Sequence, residues 1–387
     1  MNYIDDDIKK GLCYDYGKIR KAYRKLKIPK ELYTPENLPF ESYIKYFLGI
    51  SERSTGKTTN WILWGLVMNR LYNTQIMYIR QTYDMIAPKV LNQFMDVIKL
   101  NHYIEKLTDN EFNTCEYRAR KWTLEYIEED GSITRKADAP FMQCLTLDED
   151  EVYKSSLNAP LGDLIIFDEF ISKRYRPNEF VTFCNIVKTI IRDRISPIVV
   201  MLANTTDRYN EYFREMLIQN EILKIKVNEY FIKQTELGTT VFCQLIGNKN
   251  PLREKVNNLY FGFKNPRLAS ITGGDWAIDN YPHIESEECE IIDKCHYILH
   301  SAYLIQLELC HNERLGLFVK AHRANKYYDD SIIYTYEGIT DKRFRHKYGY
   351  TKLDTLIFRL FERNKFFYSN NEVGNMVTSY VTNARKY

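Results

Sequence analysis

The chain lacks the features that mark membrane, secreted and zinc-stabilised proteins. It contains no continuous apolar run of about 18 residues, the minimum for a membrane-spanning helix. Its first residues lack the basic and apolar segments of a secretory leader. Eight cysteines occur without a C-x-x-C pair, and the Cys-His pairs at 295–296 and 310–311 match no common zinc spacing. We therefore expect a soluble protein of the reducing cytosol, with no membrane partner and no structural zinc.

A strong excess of charge is also missing. The chain of 387 residues has 54 Lys and Arg against 51 Asp and Glu, a formal net charge of +3. A nearly neutral chain has no global field that attracts nucleic acid, so any such surface must be local. The length is sufficient for two domains, each with its own core.

One glycine is absent from the most informative motif, a phosphate-binding loop of the pattern G-x-x-x-x-G-K-[ST]. Ser51 stands where the first glycine belongs. An apolar strand at 46–50 and an apolar helix at 59–71 flank the loop, so the loop amides and the helix N-terminus both face an anion. We predict that ATP is bound by residues 51 to 59: Ser51, Glu52, Arg53, Ser54, Thr55, Gly56, Lys57, Thr58 and Thr59.

The conserved chemistry of such a loop resides in three of these residues. Gly56 lets the backbone approach the phosphates, Lys57 reaches the β- and γ-phosphates, and Thr58 offers a hydroxyl to Mg²⁺. Lys57 is accordingly a predicted catalytic residue.

A second motif of the same chemistry lies downstream. Residues 164–169 form an apolar run that ends in two acids, typical of a Walker B strand buried on both faces. Asp168 at the end of the strand is the predicted Mg²⁺ ligand, together with Thr58. Glu169 is the predicted catalytic base that polarises the attacking water. The two motifs together indicate an ATP-hydrolysing enzyme with Mg²⁺ as its cofactor.

The remaining pattern predicts an α/β fold with a mostly parallel sheet. Strands at 75–80 and 198–203 would join the two motif strands to give four core strands, with a helix at 178–192. Residues 111–147 look like a β-hairpin insertion.

Short strands dominate the last part of the sequence. We predict strands at 241–246, 259–263 and 315–319, and a final helix at 354–364. The predicted domains are an N-terminal helical segment (1–40), an ATPase domain (41–207), a lid or linker (208–238) and a smaller α+β domain (239–387).

Two segments are locally basic. Residues 17–27 form an amphipathic helix that is either a solvated cap or a contact for nucleic acid or a partner subunit. Residues 341–387 carry ten Lys and Arg against four acids. Cations interleaved with tyrosines suit a grip on a phosphate backbone, although a solvated turn is an equal alternative. The predicted DNA-binding residues are Lys342, Arg343, Arg345 and Lys347.

Several motifs resemble one family. The loop at 51–58 looks like the arginine-containing Walker A loop of viral DNA-packaging motors, including large terminases. Residues 165–171 followed by 177–179 are similar to the packaging ATPases of phi29-like phages. So is the segment 191–194 that leads into 201–204. The similarity extends over residues 45–205 and is faint beyond them.

This resemblance implies a ring-forming motor, with a pentamer expected, that drives double-stranded DNA into a preformed capsid. It implies docking on the portal or connector of a procapsid in the host cytoplasm, and it leaves a packaging RNA open as a partner. The implied fold is an additional-strand, catalytic-glutamate (ASCE) P-loop ATPase domain followed by a degenerate, RNase H-like nuclease domain.

The resemblance also assigns roles to residues outside the two motifs. Arg192 matches the arginine finger that acts on a neighbouring subunit, although it could instead pair with an acid to finish its helix, and Arg194 is a competing candidate. Asn204 and Thr205 match the segment that senses phosphate and couples hydrolysis to movement. Relatives have a lysine shortly after the second strand, where this chain has Thr-Tyr-Asp at 82–84. Either Arg80 takes its place or the contact is absent.

Three other functions share parts of this pattern. A terminase large subunit that also cuts DNA would need several converging carboxylates, and the strands at 303–309 and 315–320 offer only Glu308. We therefore expect no nuclease. A helicase or recombination ATPase would share the core and respond to single strands. A nucleotide-gated assembly protein would not need the base Glu169.

Overall fold

The computed structural model describes residues 14–171, 179–205, 208, 210–261, 281–283, 289–300, 303–335, 341–346, 349 and 351–384. The chain forms two compact units. The first comprises residues 1–208 and 215–260, and the second comprises residues 209–214 and 261–387. None of the described helices has the length and apolar character needed to cross a membrane.

The helices are short to medium in length. In chain order they are α1 (Tyr16–Arg24), α2 (Lys57–Tyr72), α3 (Pro88–Leu100), α4 (Tyr103–Thr108), α5 (Asp150–Ser156), α6 (Glu179–Ile191), α7 (Glu211–Glu215), α8 (Gln219–Lys224), α9 (Arg253–Phe261), α10 (Lys352–Glu362) and α11 (Asn371–Ala384).

The strands form two sheets. The first sheet contains β1 (Ile44–Ser51), β2 (Gln75–Arg80), β3 (Thr114–Arg118), β4 (Lys121–Ile127), β5 (Ile133–Lys136), β6 (Met142–Thr146), β7 (Gly162–Asp168), β8 (Ile198–Asn204), β9 (Tyr230–Gln234) and β10 (Thr240–Ile246). The second contains β11 (Glu290–His300), β12 (Tyr303–Asn312), β13 (Gly316–Ala324), β14 (Ile332–Tyr334), β15 (Phe344–Arg345) and β16 (Phe366–Tyr368).

The first sheet has a parallel centre and antiparallel margins. Its order is β3-β4-β6-β2-β7-β8-β1-β10-β9, with β5 paired to β4. Six consecutive strands in this order, β6, β2, β7, β8, β1 and β10, run parallel to one another. Every residue of β7 is buried, as expected for a central parallel strand covered on both faces. The carboxyl ends of β1, β2, β7 and β8 therefore lie along one edge.

Helix α2 follows β1 and is buried along most of its length. Its side chains from Trp61 to Met68 are all inaccessible, so the helix is apolar on every side. Gly65 allows the close approach of helix and sheet, because a Cβ at this position would lie 2.5 Å from the side chain of Ile76. The helix ends at Asn73, which has a left-handed backbone (φ 54°).

The parallel centre is larger than the four strands predicted from sequence. Strand β6, at the end of the segment 111–147, pairs in parallel with β2, while β4 pairs with β6 in the antiparallel sense. The hairpins in this segment are confirmed, but they continue the main sheet and do not form a separate insertion. The sequence pattern of β6 is that of any short apolar strand, and only its neighbours identify it as part of the core.

Strand β10 corrects the predicted assignment of residues 239–246 to the second domain. It pairs in parallel with β1 along its whole length, and β9 pairs with it from the outside. The first unit therefore continues to residue 260. The strand predicted at 259–263 is also wrong within the described residues, because α9 extends to Phe261. Helix formation is cooperative, so the helix continues into its β-prone aromatic end.

The second unit is an α+β arrangement. Its sheet has the order β15-β14-β11-β12-β13-β16, in which β11, β12 and β13 form an antiparallel meander. The strands on both sides of the meander pair in parallel. Helix α10 begins at a capping box formed by Thr351 and Asp354. It confirms the helix predicted at 354–364, but the following helix α11 was not predicted.

Candidate nucleotide site

The phosphate loop has the predicted strand–loop–helix context. Strand β1 ends at Ser51, and α2 begins at Lys57 directly after Gly56. Gly56 has φ 81°, a left-handed conformation that glycine adopts without strain. The loop is closed internally, since the hydroxyls of Ser51 and Thr55 lie 2.8 Å apart. It is also held from outside by the amide of Tyr33, which donates to the Thr55 carbonyl at 2.9 Å.

Ser51, the departure from the usual motif, contacts the motif lysine. Lys57 Nζ donates to Ser51 Oγ at 2.5 Å and to the Glu52 carbonyl at 3.3 Å. Lys57 is 7% exposed, and burial lowers its pKa to about 8, although Asp168 and Glu169 oppose the shift. The Ser51 hydroxyl therefore replaces part of the hydration that the buried ammonium group of Lys57 has lost.

The two predicted Mg²⁺ ligands face each other. Thr58 Oγ1 donates to Asp168 Oδ1 at 3.0 Å, which joins the start of α2 to the end of β7. The other carboxylate oxygen of Asp168 accepts from Tyr78 at 2.7 Å and from Arg80 at 2.7 Å. Burial raises the pKa of Tyr78 well above its usual value, so its hydroxyl remains a donor.

Glu169 lies at the mouth of this cluster. Its backbone is left-handed (φ 54°), which is uncommon outside glycine and turns the chain sharply after β7. Its side chain is 47% exposed, whereas that of Asp168 is 5% exposed. A glutamate that follows the metal ligand directly and remains open to water has the placement that a base for water activation requires.

Arg80 joins the two acids. One terminal nitrogen of its guanidinium bonds Asp168 and the other bonds Glu169 Oε2, each at 2.7 Å, and the side chain is only 6% exposed. A cation from the end of β2 therefore contacts both Asp168 and Glu169, which keeps Arg80 as the candidate for the place of the missing lysine. Tyr78 was not predicted, but it lies two residues before Arg80 on the same face of the strand, which was a usable signal.

The predicted sensor residues also reach the phosphate loop. Asn204 Oδ1 accepts from Lys57 Nζ at 3.4 Å. The amide of Thr205 donates to the Ser51 carbonyl at 3.0 Å, and Thr205 is buried. The adjacent strands β1 and β8 hold these residues together by pairing in register from Tyr46 to Ser51. Of the other loop residues, Arg53 and Ser54 are exposed and Thr59 is half-buried.

Arg192 lies at the opposite edge of the sheet. Helix α6 returns from the carboxyl end of β7 to its amino end, and Arg192 follows its last residue with φ 48°. Its guanidinium donates to the Leu157 carbonyl at 3.3 Å, and the residue is exposed. A strand of this length separates the two edges by roughly 20 Å. Arg192 is therefore remote from the phosphate loop of its own chain.

Arg194, the competing finger, is occupied. It forms an ion pair with Asp163 and donates to the carbonyls of four residues around the amino end of β7. These carbonyls belong to Ala159, Pro160, Gly162 and Ile190.

The predicted DNA-binding residues do not form a uniform exposed patch. Arg343 pairs with Asp341 at 2.5 Å and lies over the ring of Tyr327. Arg345 lies on β15 with its guanidinium 4.0 Å from the buried carboxylate of Asp354. Lys342 is exposed. Lys347 lies outside the described residues, as do the motif positions Pro177 and Asn178.

Strand β11 adds one acid, Asp293, to Glu308 as a residue that a nuclease site could use. Asp293, in the first strand of the second unit, accepts a hydrogen bond at 2.7 Å from His296. Glu308 on β12 lies 3.9 Å from His322. Among the described residues, no three His, Cys, Asp or Glu side chains converge to hold a metal ion.

Comparisons with known proteins identify a fold. No protein-family model and no curated protein sequence matches the chain. The Phi-28 gp11 DNA packaging motor is 18% identical, and the match covers 92% of this chain and 99% of that one with a TM-score of 0.51. The bacteriophage Phi-29 viral genome packaging motor assembly is 15% identical, and the match covers 92% and 100% with a TM-score of 0.53.

Both matches extend over nearly the whole chain, through the two units and not the first unit alone. The resemblance to phage DNA-packaging ATPases is thereby confirmed at the level of the fold: this chain has the mixed α/β architecture of these packaging motors.

Proposed function

We propose that the protein hydrolyses ATP to move double-stranded DNA into a viral capsid. The observation that carries the proposal is the meeting of the two motifs: Thr58 and Asp168 are 3.0 Å apart, and Glu169 is exposed beside them. A hydroxyl and a carboxylate in this arrangement are the oxygen ligands that Mg²⁺ takes in nucleotide-hydrolysing P-loop proteins.

The residues present suit a bound Mg²⁺, with Thr58 and Asp168 as its protein ligands. A bound Mg²⁺ would supply positive charge to neutralise the negative charge that develops on the phosphates. The chain itself contributes the loop amides and Lys57, which bind the phosphates. Glu169 accepts a proton from the attacking water, and Asn204 lies within reach of Lys57 to respond to the γ-phosphate.

Arg80 takes the role left open by the missing lysine and acts as a positioning residue. It bonds Oδ2 of Asp168, while Thr58 bonds Oδ1, so the metal-facing oxygen is free of the arginine. The same guanidinium orients Glu169. An arginine suits this position better than a lysine, since its planar fork reaches two carboxylates at once.

The motor part of the proposal is supported by the fold and by the placement of Arg192. An exposed arginine at the edge opposite to its own phosphate loop suits a finger that completes the site of the next subunit in a ring. The Phi-28 and Phi-29 motors that share the fold act in DNA or genome packaging. We propose a pentameric ring that contacts a portal, with a packaging RNA as a further partner, in the host cytoplasm.

The second unit is proposed to be a vestigial, RNase H-like domain that handles DNA without cutting it. Its mixed sheet and flanking helices support an α+β domain of this kind. The acids Asp293 and Glu308 are each adjacent to a histidine, at 2.7 and 3.9 Å, which favours local pairing over a shared metal site.

A direct test is the ATPase rate of the purified chain alone, with duplex DNA, with single-stranded DNA and with duplex DNA plus empty capsids. We expect a basal rate that duplex raises and that capsids raise further. A rate raised by single strands alone would replace the packaging proposal with a helicase. Absence of any Lys57-dependent hydrolysis under all four conditions would refute the proposal that the protein hydrolyses ATP.

A further inference from the structure

The cations of α1 and of the segment that follows it fall into two sets. Residues 16 to 30 carry seven cations and no acid. Two arginines are tied to the protein: Arg20 donates to the Glu36 and Leu38 carbonyls at 2.8 Å, and Arg24 pairs with Glu36 at 2.9 Å. The other cations are exposed lysines: Lys18, Lys21, Lys25, Lys27 and Lys30.

Three of these lysines form one outward face. Lys18, Lys21 and Lys25 are spaced i, i+3 and i+7, so they lie above one another along α1 and the turn that follows it. The opposite face carries Ile19 and Tyr23, which are 0% and 1% exposed. The orientation of the helix is therefore determined by its buried side, and the lysine face must point to solvent.

The lysine face has no counter-charge of its own. No ion pair to Lys18, Lys21 or Lys25 occurs within the described part of the chain, and Asp15 is engaged as the N-cap of α1. Like charges at i, i+3 and i, i+4 spacings destabilise a helix by mutual repulsion. A face that keeps three such charges together is complementary to a polyanion with regularly spaced charges.

The buried side of α1 is connected to the phosphate loop. Tyr23 donates its hydroxyl to Asn60 Oδ1 at 2.7 Å, and Asn60 Nδ2 donates to the Gly56 carbonyl at 3.0 Å. Burial raises the pKa of Tyr23, so its hydroxyl stays protonated and remains the donor. One hydrogen-bonded chain of three residues thus links the lysine helix to the glycine that precedes Lys57.

We propose that the face formed by Lys18, Lys21 and Lys25, the α1 lysine face, binds the phosphate backbone of duplex DNA, and that the Tyr23–Asn60–Gly56 chain couples this contact to ATP turnover. The inference rests on the proposed DNA-handling function and assigns it a surface. In contrast to Arg343, which is paired with Asp341, these lysines are available for phosphate.

The first experiment measures duplex binding by fluorescence anisotropy between 50 and 200 mM salt, without nucleotide. It compares the full-length wild type with Lys18→Gln/Lys21→Gln/Lys25→Gln. Loss of three phosphate contacts should reduce the log–log salt slope by about 2.7, at roughly 0.9 per contact. Lys89→Gln/Lys188→Gln/Lys226→Gln is the matched control, because it removes the same charge from exposed lysines elsewhere in the unit. The control should keep the wild-type slope.

The outcomes that would refute DNA binding by the α1 lysine face differ from those that would refute the motor proposal. An unchanged slope in the α1 variant, an equal loss in the control, or a loss confined to duplex RNA would each refute the α1 lysine face. If the α1 variant did not fold, Lys18→Arg/Lys21→Arg/Lys25→Arg would have to retain the wild-type slope. A wild type that hydrolyses ATP but neither binds duplex nor responds to it would refute the motor proposal itself.

The second experiment tests the coupling with Tyr23→Phe, which removes one hydroxyl and keeps the buried ring. This variant should bind duplex with the wild-type salt slope but lose the rise in kcat that duplex causes. Binding free energies at two coupled sites change reciprocally, so in the wild type a non-hydrolysable ATP analogue should change the duplex Kd by the same factor by which duplex changes the Kd of the analogue. Both changes in Kd should be absent in Tyr23→Phe. Full DNA stimulation in Tyr23→Phe would overturn the coupling.

Discussion

Strand β7 carries a buried aspartate at each end, and each aspartate pairs with an arginine. At the amino end, Asp163 pairs with Arg194, whose two terminal nitrogens also donate to four backbone carbonyls. At the carboxyl end, Asp168 pairs with Arg80, which also holds the exposed Glu169 and leaves its buried Nε without a partner among the described residues. An Asp–Arg ion pair therefore occurs at both ends of the strand, but it serves a different purpose at each end.

The difference between the ends shows how one strand separates stability from chemistry. At the amino end the polar groups satisfy one another, and Tyr14 adds a hydrogen bond to Asp163. At the carboxyl end several groups converge on one carboxylate that faces a phosphate loop. With the exception of Arg192, variants at the amino end should change stability without changing turnover. Variants at the carboxyl end should change turnover, and loss of Arg80 there should lower stability as well. Five measurements break or sharpen this contrast.

The largest effect is expected from Arg192, the exception at the amino end. If it acts on the neighbouring subunit, Arg192→Ala should lower kcat in assembled rings by roughly 10³ to 10⁵ with no change in Tm. Mixing Arg192→Ala with Lys57→Ala should restore some hydrolysis, because some interfaces then combine an intact loop with an intact finger. If mixed rings formed but remained inactive, the proposal that Arg192 acts on a neighbouring subunit would be wrong.

At the carboxyl end, Glu169→Gln should lower kcat by about 10² to 10⁴, the usual contribution of a general base. The nucleotide Kd should stay within a few-fold of wild type, because Glu169 does not hold the phosphates. Lys57→Ala serves as the contrast, since it should weaken nucleotide binding as well. Retention of most wild-type turnover in Glu169→Gln would make another group the base.

The two arginines that pair with the aspartates of β7, Arg80 and Arg194, should respond differently to ligand. Without nucleotide, Arg80→Ala should cost about 3–5 kcal/mol because it leaves a buried carboxylate uncompensated. Arg194→Ala should cost about 1.5–3 kcal/mol, the range for hydrogen bonds to a charged group. Adding Mg²⁺ with a non-hydrolysable ATP analogue should reduce the Arg80→Ala deficit and leave that of Arg194→Ala unchanged in urea unfolding. If the ligand changed the stability deficits of both variants equally, Arg80 and Arg194 would not differ in their relation to the nucleotide site.

The smallest effect concerns pH. Lys57 has a folded-state pKa of about 8, below its usual value because of burial, so it is partly neutral just above pH 8 without ligand. Bound phosphates favour the ammonium, so nucleotide binding above pH 8 must take up a proton. The Kd should therefore rise about tenfold per pH unit above 8, since each unit corresponds to 1.36 kcal/mol. Lys57→Arg stays charged and should show no such break.

The same pKa has a consequence for stability with a definite sign. Between pH 8 and the ordinary lysine pKa, the unfolded chain holds more protons at Lys57 than the folded chain. The contribution of this group to the free energy of unfolding therefore rises with pH across that window and is least favourable at neutral pH. Comparison of urea midpoints of wild type and Lys57→Met between pH 7 and 10 isolates this contribution.

Much of the nucleotide site was predictable because its signals are local. The spacing of Gly56, Lys57 and Thr58 after an apolar strand is a short-range pattern, and β2 at Gln75–Arg80 coincides with its prediction. Predictions of domain assignment from local pattern were wrong where a neighbouring strand decided the outcome. The strand β10 looked like the start of a new domain, yet it lies beside β1.

The sequence by itself determined that a Gly-Lys-Thr loop follows one apolar strand and that a second apolar strand ends in two acids, since both are patterns of residue type at fixed short spacings. Only the tertiary structure decided that Arg80 reaches Asp168, 88 residues away, and that the cations Arg343 and Arg345 lie near acids. The physical reason is that the order and register of strands bring distant side chains together, and no short window of sequence contains that order.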